Sequence, residues 1–264
     1  MFRSSYALPG GGYSRHYFNL REPGYSEAHH HMDRGVVVVA MDHLRVGESD
    51  IPDLEDASLE IAAEANNAVL KLILERLAAG ELGEGLAPLQ PSAIVGEGQS
   101  MGGHIALLMQ AKHRSFHGLA MLGSSAVCTR LPARTAGEDI CLLGKDNPSE
   151  GLAALRTFDK RFALHWEDVP EAYASAESGA SSSAYWLGAT TPNAGGGLVP
   201  GHLSGKAATL NLPILIGRGN ATYARTLCAR WRPTCRRAMS VTSSFREWHT
   251  CTTSQERGSS CGSG

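Results

Sequence analysis

The 264-residue sequence lacks a hydrophobic run long enough to cross a membrane. Its longest apolar run, residues 35–41, has the length of a β-strand, whereas a membrane-spanning helix needs about 18 apolar residues. Residues 1–12 also lack the apolar segment of a secretory signal peptide. The sequence therefore predicts a cytoplasmic protein without a membrane partner.

An excess of charge of either sign is absent as well. The chain has 24 Lys and Arg against 26 Asp and Glu, for a formal net charge of -2 at pH 7. Proteins that bind nucleic acids usually carry clustered positive charge, so no nucleic-acid partner is predicted. With 42% hydrophobic residues, the chain is long enough to bury the core of one large α/β domain.

The cysteines show no paired Cys-x-x-Cys spacing of the kind that binds zinc. Of the six cysteines, four fall in the last part of the chain: Cys228, Cys235, Cys251 and Cys261. A disulfide framework is not expected in a chain of this size without a secretory signal. The sequence therefore predicts incidental cysteines and no metal site.

Strand-like and helix-like patterns alternate along the chain. Residues 35–41 contain four consecutive β-branched valines and are expected to form a strand buried on both faces, as in a parallel sheet. Residues 54–82 show helical periodicity on one or two helices that end near Gly80 and Gly83. Further strands are predicted at 92–96, 117–122 and 212–216, with a helix at 101–112. This alternation predicts a doubly wound, mostly parallel α/β sheet.

The strongest local motif is the sequence Gly-Gln-Ser-Met-Gly-Gly at residues 98–103. It follows a predicted strand and precedes a predicted helix, which is the context of a G-x-S-x-G nucleophile elbow. Glycines on either side of the serine let strand and helix approach closely. The motif predicts Ser100 as a nucleophile; the alternative is an ordinary serine in a tight β–α turn.

A glycine-rich segment at residues 8–13 is the second motif. Acyl transfer needs two backbone N–H donors directed at the tetrahedral oxyanion. We predict one donor from Met101 and the other from Gly11 or Gly12. A flexible N-terminal turn is the alternative interpretation. In the following segment, 40–49, Asp42 and His43 are interpreted as structural residues that shape a loop.

The order of these segments over the first 219 residues resembles the α/β-hydrolase superfamily. The resemblance implies that Ser100 attacks an ester-like carbonyl of a small molecule, assisted by a histidine base and a carboxylate, without a cofactor. It implies four segments: core at 1–128, an inserted cap at 129–207, a return to the core at 208–219 and an atypical tail at 220–264. The fold is expected to be incomplete at both ends.

The tail departs from the family pattern. Residues 219–222 read Gly-Asn-Ala-Thr where a family member would carry its acid loop, and no Asp, Lys or Ile occurs from Asn220 onward. Back-translation with codons read one base earlier permits Glu-Arg-Asp at the first site and Met-Ala-His in the segment 246–254. We therefore hypothesise a one-base frameshift near Gly219, with residues 220–264 frameshifted or disordered.

The consequence is that the family's acid and base are not encoded in the chain. His249 lies one residue from the position of the restored histidine and is a weak base candidate; His104 and His165 are further candidates. Two alternatives to an active hydrolase follow. In the first, the chain is a catalytically silent α/β-hydrolase-like protein. In the second, its arginine-rich tail is an interaction module for an acidic partner.

Overall fold

The computed structural model describes residues 2–11, 13–20, 24–44, 46–50, 58–127, 129, 159, 162, 171, 201–218 and 238–242. These residues contain six strands: β1 (Phe2–Leu8), β2 (Val36–Ala40), β3 (Pro91–Gln99), β4 (Gly118–Leu122), β5 (Ile214–Arg218) and β6 (Ala238–Thr242). They also contain a 3-10 helix (Arg15–Asn19) and four α-helices: α1 (Glu27–Met32), α2 (Leu59–Ala79), α3 (Met101–His113) and α4 (Ser204–Ala208).

The strands form one sheet in the order β2-β1-β3-β4-β5-β6, and every neighbouring pair is parallel. The chain runs outward from β1 to β2, returns to β3 beside β1, and then continues in the other direction. Parallel strands need crossover connections, and within the described residues α-helices lie in the four connections between β1 and β5. This arrangement confirms the predicted doubly wound parallel sheet.

Helix α2 begins at Leu59, inside the predicted range 54–82, and ends near Gly80 as predicted. The Ser58 side chain caps its start by accepting a hydrogen bond from the Ile61 N–H at 3.1 Å. Gly80 ends it in the left-handed conformation, with φ of 76°. Its buried side chains pack with α3 and the sheet in the main core, which includes Tyr6, Leu59, Leu70, Ile105, Leu107 and Met109.

The expectation for β2 was wrong in one respect. It was predicted to be buried on both faces, but all five of its residues are only partly buried. Within the described residues β2 pairs with β1 alone, so it lies at the edge of the sheet. An edge strand has one neighbour fewer, and its β-branched side chains therefore retain contact with solvent.

One strand falls inside the segment expected to be atypical. Strand β6 pairs in parallel with β5 over five residues, from Ile214 opposite Ala238 to Arg218 opposite Thr242. This part of the tail is therefore built into the sheet. Of the predicted cap, 129–207, the described residues are positions 129, 159, 162 and 171 and the stretch 201–207, which contains most of α4. None of the helices in the described ranges is long and apolar enough to cross a membrane.

Candidate active site

Ser100 occupies the turn between β3 and α3. Its backbone has φ of 49° and ψ of -114°, and it is one of two described non-glycine residues with positive φ. Such a conformation is strained for a residue with a Cβ atom and persists only where surrounding contacts enforce it. Here the Ser100 N–H donates to the Leu122 carbonyl at 2.7 Å, which ties the turn to the end of β4.

The glycines around Ser100 are required by close backbone approaches. A Cβ atom at Gly98 would lie 2.2 Å from the carbonyl carbon of Gly102, and one at Gly102 would lie 1.9 Å from the Leu8 carbonyl oxygen. A Cβ atom at Gly103 would lie 2.4 Å from Ser124 Oγ. The steric reason predicted for the motif is therefore confirmed, and it involves β1 as well as β3 and α3.

The glycine-rich loop lies directly against the Ser100 turn. A Cβ atom at Gly10 would lie 3.2 Å from Ser100 Cβ, and one at Gly11 would lie 3.6 Å from Met101 Sδ. The Tyr13 N–H donates to the Gly10 carbonyl at 3.1 Å and closes the loop into a turn. In the part of the chain that is described, the N–H groups of Gly11 and Met101 have no backbone acceptor. Gly12 lies outside the described residues.

His43 contacts the start of the glycine-rich loop. Its side chain is fully buried, with Nε2 2.8 Å from the Pro9 carbonyl oxygen and Nδ1 3.1 Å from Asn66 Nδ2. Asn66 Nδ2 also donates to the Ala62 carbonyl at 2.8 Å, so the amide group is the donor toward Nδ1. His43 is therefore the neutral tautomer with its proton on Nε2. Burial lowers the pKa of His43 and keeps it neutral.

Asp42 also makes structural contacts. It accepts hydrogen bonds from the Arg15 backbone N–H at 2.6 Å and from the Arg15 guanidinium. The Ser49 hydroxyl donates to the Asp42 carbonyl at 3.0 Å, and a Cβ atom at Gly47 would collide with the Asp42 carboxylate. These contacts agree with the structural interpretation of Asp42 and explain the glycine at position 47.

No histidine side chain hydrogen-bonds to Ser100 Oγ within the described ranges. His104 is buried on α3, with Nε2 3.1 Å from Thr129 Oγ1. Burial lowers the pKa of His104 to about 4, so it packs as a neutral residue. His249 and His165, the other base candidates, lie outside the described residues. Sequence reasoning missed Asn66 and Pro9 as partners of His43; the only signal was an Asn on the apolar face of α2.

Comparisons with solved structures identify the fold. An esterase from Exiguobacterium antarcticum is similar with a TM-score of 0.62 and 17% identity, over 91% of this chain and 82% of that one. An extracellular α/β-hydrolase from a Paenibacillus species has a TM-score of 0.54 and 11% identity, over 92% and 90%. Est816, an N-acyl homoserine lactone degrading enzyme, has a TM-score of 0.53 and 14% identity, over 92% and 85%.

These similarities show that the chain has the α/β-hydrolase fold. No protein-family model matches the sequence, and no curated protein matches it significantly. The fold places the Ser100 turn and the glycine-rich loop together at the carboxyl ends of β1 and β3. In open α/β sheets this edge is where ligands bind.

Proposed function

We propose that this chain is a serine hydrolase of small carboxylic esters, thioesters or lactones, with Ser100 as its nucleophile. The observation that carries the proposal is the strained conformation of Ser100 at the β3–α3 turn, directly against a glycine-rich loop. Strained backbone at a strand-to-helix turn is typical of a nucleophile elbow. The esterase and the lactone-degrading enzyme of similar fold support this substrate class.

The chemistry follows from the positions of the groups. Ser100 Oγ attacks the substrate carbonyl carbon and forms a tetrahedral oxyanion, which collapses to an acyl-enzyme as the alcohol or thiol leaves. The N–H groups of Met101 and of Gly11 or Gly12 stabilise the oxyanion in the proposed mechanism. No cofactor takes part. A general base must receive the Ser100 proton, and His249 is the weak candidate that the sequence offers.

A second candidate function is a catalytically silent α/β-hydrolase-like protein. It is favoured by the sequence Gly-Asn-Ala-Thr at residues 219–222, where the resemblance implies the acid loop. Loss of a triad member typically lowers kcat by several orders of magnitude, about 10⁴-fold or more. Such a protein binds small esters without turning them over.

Whether the chain is an active hydrolase or a silent protein, we propose an inserted cap at residues 129–207 and a cytoplasmic location.

Labelling with a fluorophosphonate probe, combined with hydrolysis of short-chain p-nitrophenyl esters, tests the proposal. We expect labelling of the native chain, none in Ser100→Ala, and unchanged labelling in Ser92→Ala, whose hydroxyl lies at the exposed start of β3 and bonds to the Phe2 carbonyl. Ester binding without labelling or turnover would favour the silent protein. Labelling that persists in Ser100→Ala would refute the assignment of the nucleophile.

A further inference from the structure

A cluster of ionisable side chains lies on the opposite face of β3 from α3. Gly96 faces Phe116 on the α3 side, where a Cβ atom would lie 2.5 Å from the Phe116 ring. Side chains alternate along a strand, so Glu97 points to the other face. There it meets Glu27 and His31 of α1, and the donor atoms of the three side chains all lie within 4.8 Å of one another.

Glu97 is a buried acid with no Lys or Arg partner among the described residues. It is 7% exposed, and Ser5 Oγ donates to its Oε2 at 2.6 Å. In the described part of the chain, no Lys or Arg pairs with Glu97 or with Glu27; their one ion-pair partner is His31. Two carboxylates in this position need a proton or a cation between them.

The spacing of the donor atoms suits a cation. His31 Nε2 lies 3.5 Å from Glu27 Oε1 and 3.8 Å from Glu97 Oε2. A tetrahedral ion with bonds of about 2.0–2.1 Å separates its ligand atoms by about 3.3 Å, so small side-chain rotations complete the geometry. Glu27 and His31 lie one helical turn apart on α1, which directs both side chains to the same side.

We propose that Glu27, His31 and Glu97 form a binding site for a divalent transition-metal ion, best matched by Zn²⁺. Two carboxylate oxygens and one imidazole nitrogen are donors that Zn²⁺ accepts, and three protein ligands leave a fourth position for water. The Ser5 hydroxyl orients the Glu97 carboxylate, as partners of metal ligands commonly do. Sequence analysis predicted no metal because these ligands come from two elements that are distant in sequence.

Calorimetric titration of the full chain with Zn²⁺, after alkylation of its cysteines, tests the site. We expect saturable binding by the native sequence, weakened at least about tenfold in Glu97→Gln and in His31→Asn, since ligand removal costs more than the 10–100-fold of an outer-shell change. Glu97→Gln retains the shape of the side chain and an acceptor for Ser5. The matched control is Glu64→Gln, because Glu64 also contacts a histidine but is already paired with Lys112 at 2.7 Å.

The readout is independent of catalysis, so failure of the hydrolase proposal leaves this test intact. Absence of saturable Zn²⁺ binding by the native sequence would refute the proposed site. Zn²⁺ affinities in both ligand variants equal to that of the native sequence would refute it as well. Circular dichroism establishes that each variant is folded. If Glu97→Gln does not fold, His31→Asn decides alone, because His31 is 29% exposed and tolerates substitution.

Discussion

The imidazole of His43 holds the carbonyl group of Pro9, with 2.8 Å between Nε2 and the oxygen. Pro9 immediately precedes the glycine-rich loop, and His43 follows β2, so this contact connects the loop to a neighbouring strand end. The bond from Asn66 fixes the tautomer that donates to Pro9. His43 is thus a positioning residue for the loop that lies against Ser100.

Replacing His43 by Leu should destabilise the fold and slow labelling of Ser100. A buried carbonyl and a buried amide then lose their partner, which costs about 1–3 kcal/mol for each unsatisfied group. Urea unfolding and the fluorophosphonate labelling rate are the measurements, with His202→Leu, at an exposed position, as the control. Unchanged stability in His43→Leu would contradict the role in positioning.

Gly102→Ala should prevent folding or destabilise it severely. The new methyl group would lie 1.9 Å from the Leu8 carbonyl oxygen, which is backbone and cannot rotate away. Gly205→Ala on the exposed helix α4 is the matched control, since nothing lies within 4 Å of its Cβ position. Alanine there should stabilise by about 0.5–1 kcal/mol. Equal midpoints in thermal unfolding for the two variants would refute the packing argument.

Stability should fall with decreasing pH because of His104. Its pKa is about 4 in the folded chain and about 6.5 when unfolded, so the unfolded state binds more protons between these values. The contribution is fully present above about pH 6.5 and is lost as pH falls toward 4, by about 3 kcal/mol at most. His43 adds a change of the same sign. In His104→Gln, whose amide retains a partner for Thr129, the free energy of unfolding in urea should depend less steeply on pH. The same slope in the variant and the native sequence would contradict this role of His104.

The coding DNA tests the frameshift hypothesis. Read through codons 210–255, the neighbouring frame should be open and should encode Glu-Arg-Asp followed later by Met-Ala-His. Such a result would make this chain a derivative of an esterase-like hydrolase that lost its acid and base. Stop codons in that frame would mean that the tail is genuine, and His249 would become the first base to test.

Local patterns were sufficient for the elbow and for the main elements. The glycines at 98 and 102, the apolar strand before them and the helix after them act over a few residues, so their pattern predicted the Ser100 turn. Gly80 predicted the end of α2 in the same way, whereas its start at the N-cap Ser58 was found only in the structure. The short helix α1 was missed because six residues carry too little periodicity, although Ser26 caps it with a bond to the His29 N–H at 3.0 Å.

Contacts between distant segments required the tertiary structure. The partial burial of β2 depends on which strands flank it. An apolar sequence has the same pattern whether its strand lies at the edge or in the centre of a sheet. The tautomer of His43 depends on Asn66, and the setting of Glu97 depends on α1, whose His31 lies 3.8 Å from it. Sequence periodicity reports the face that a side chain occupies, whereas its partners are set by how separate elements pack. The fold was therefore predictable from local sequence, and the electrostatics of its buried polar groups were not.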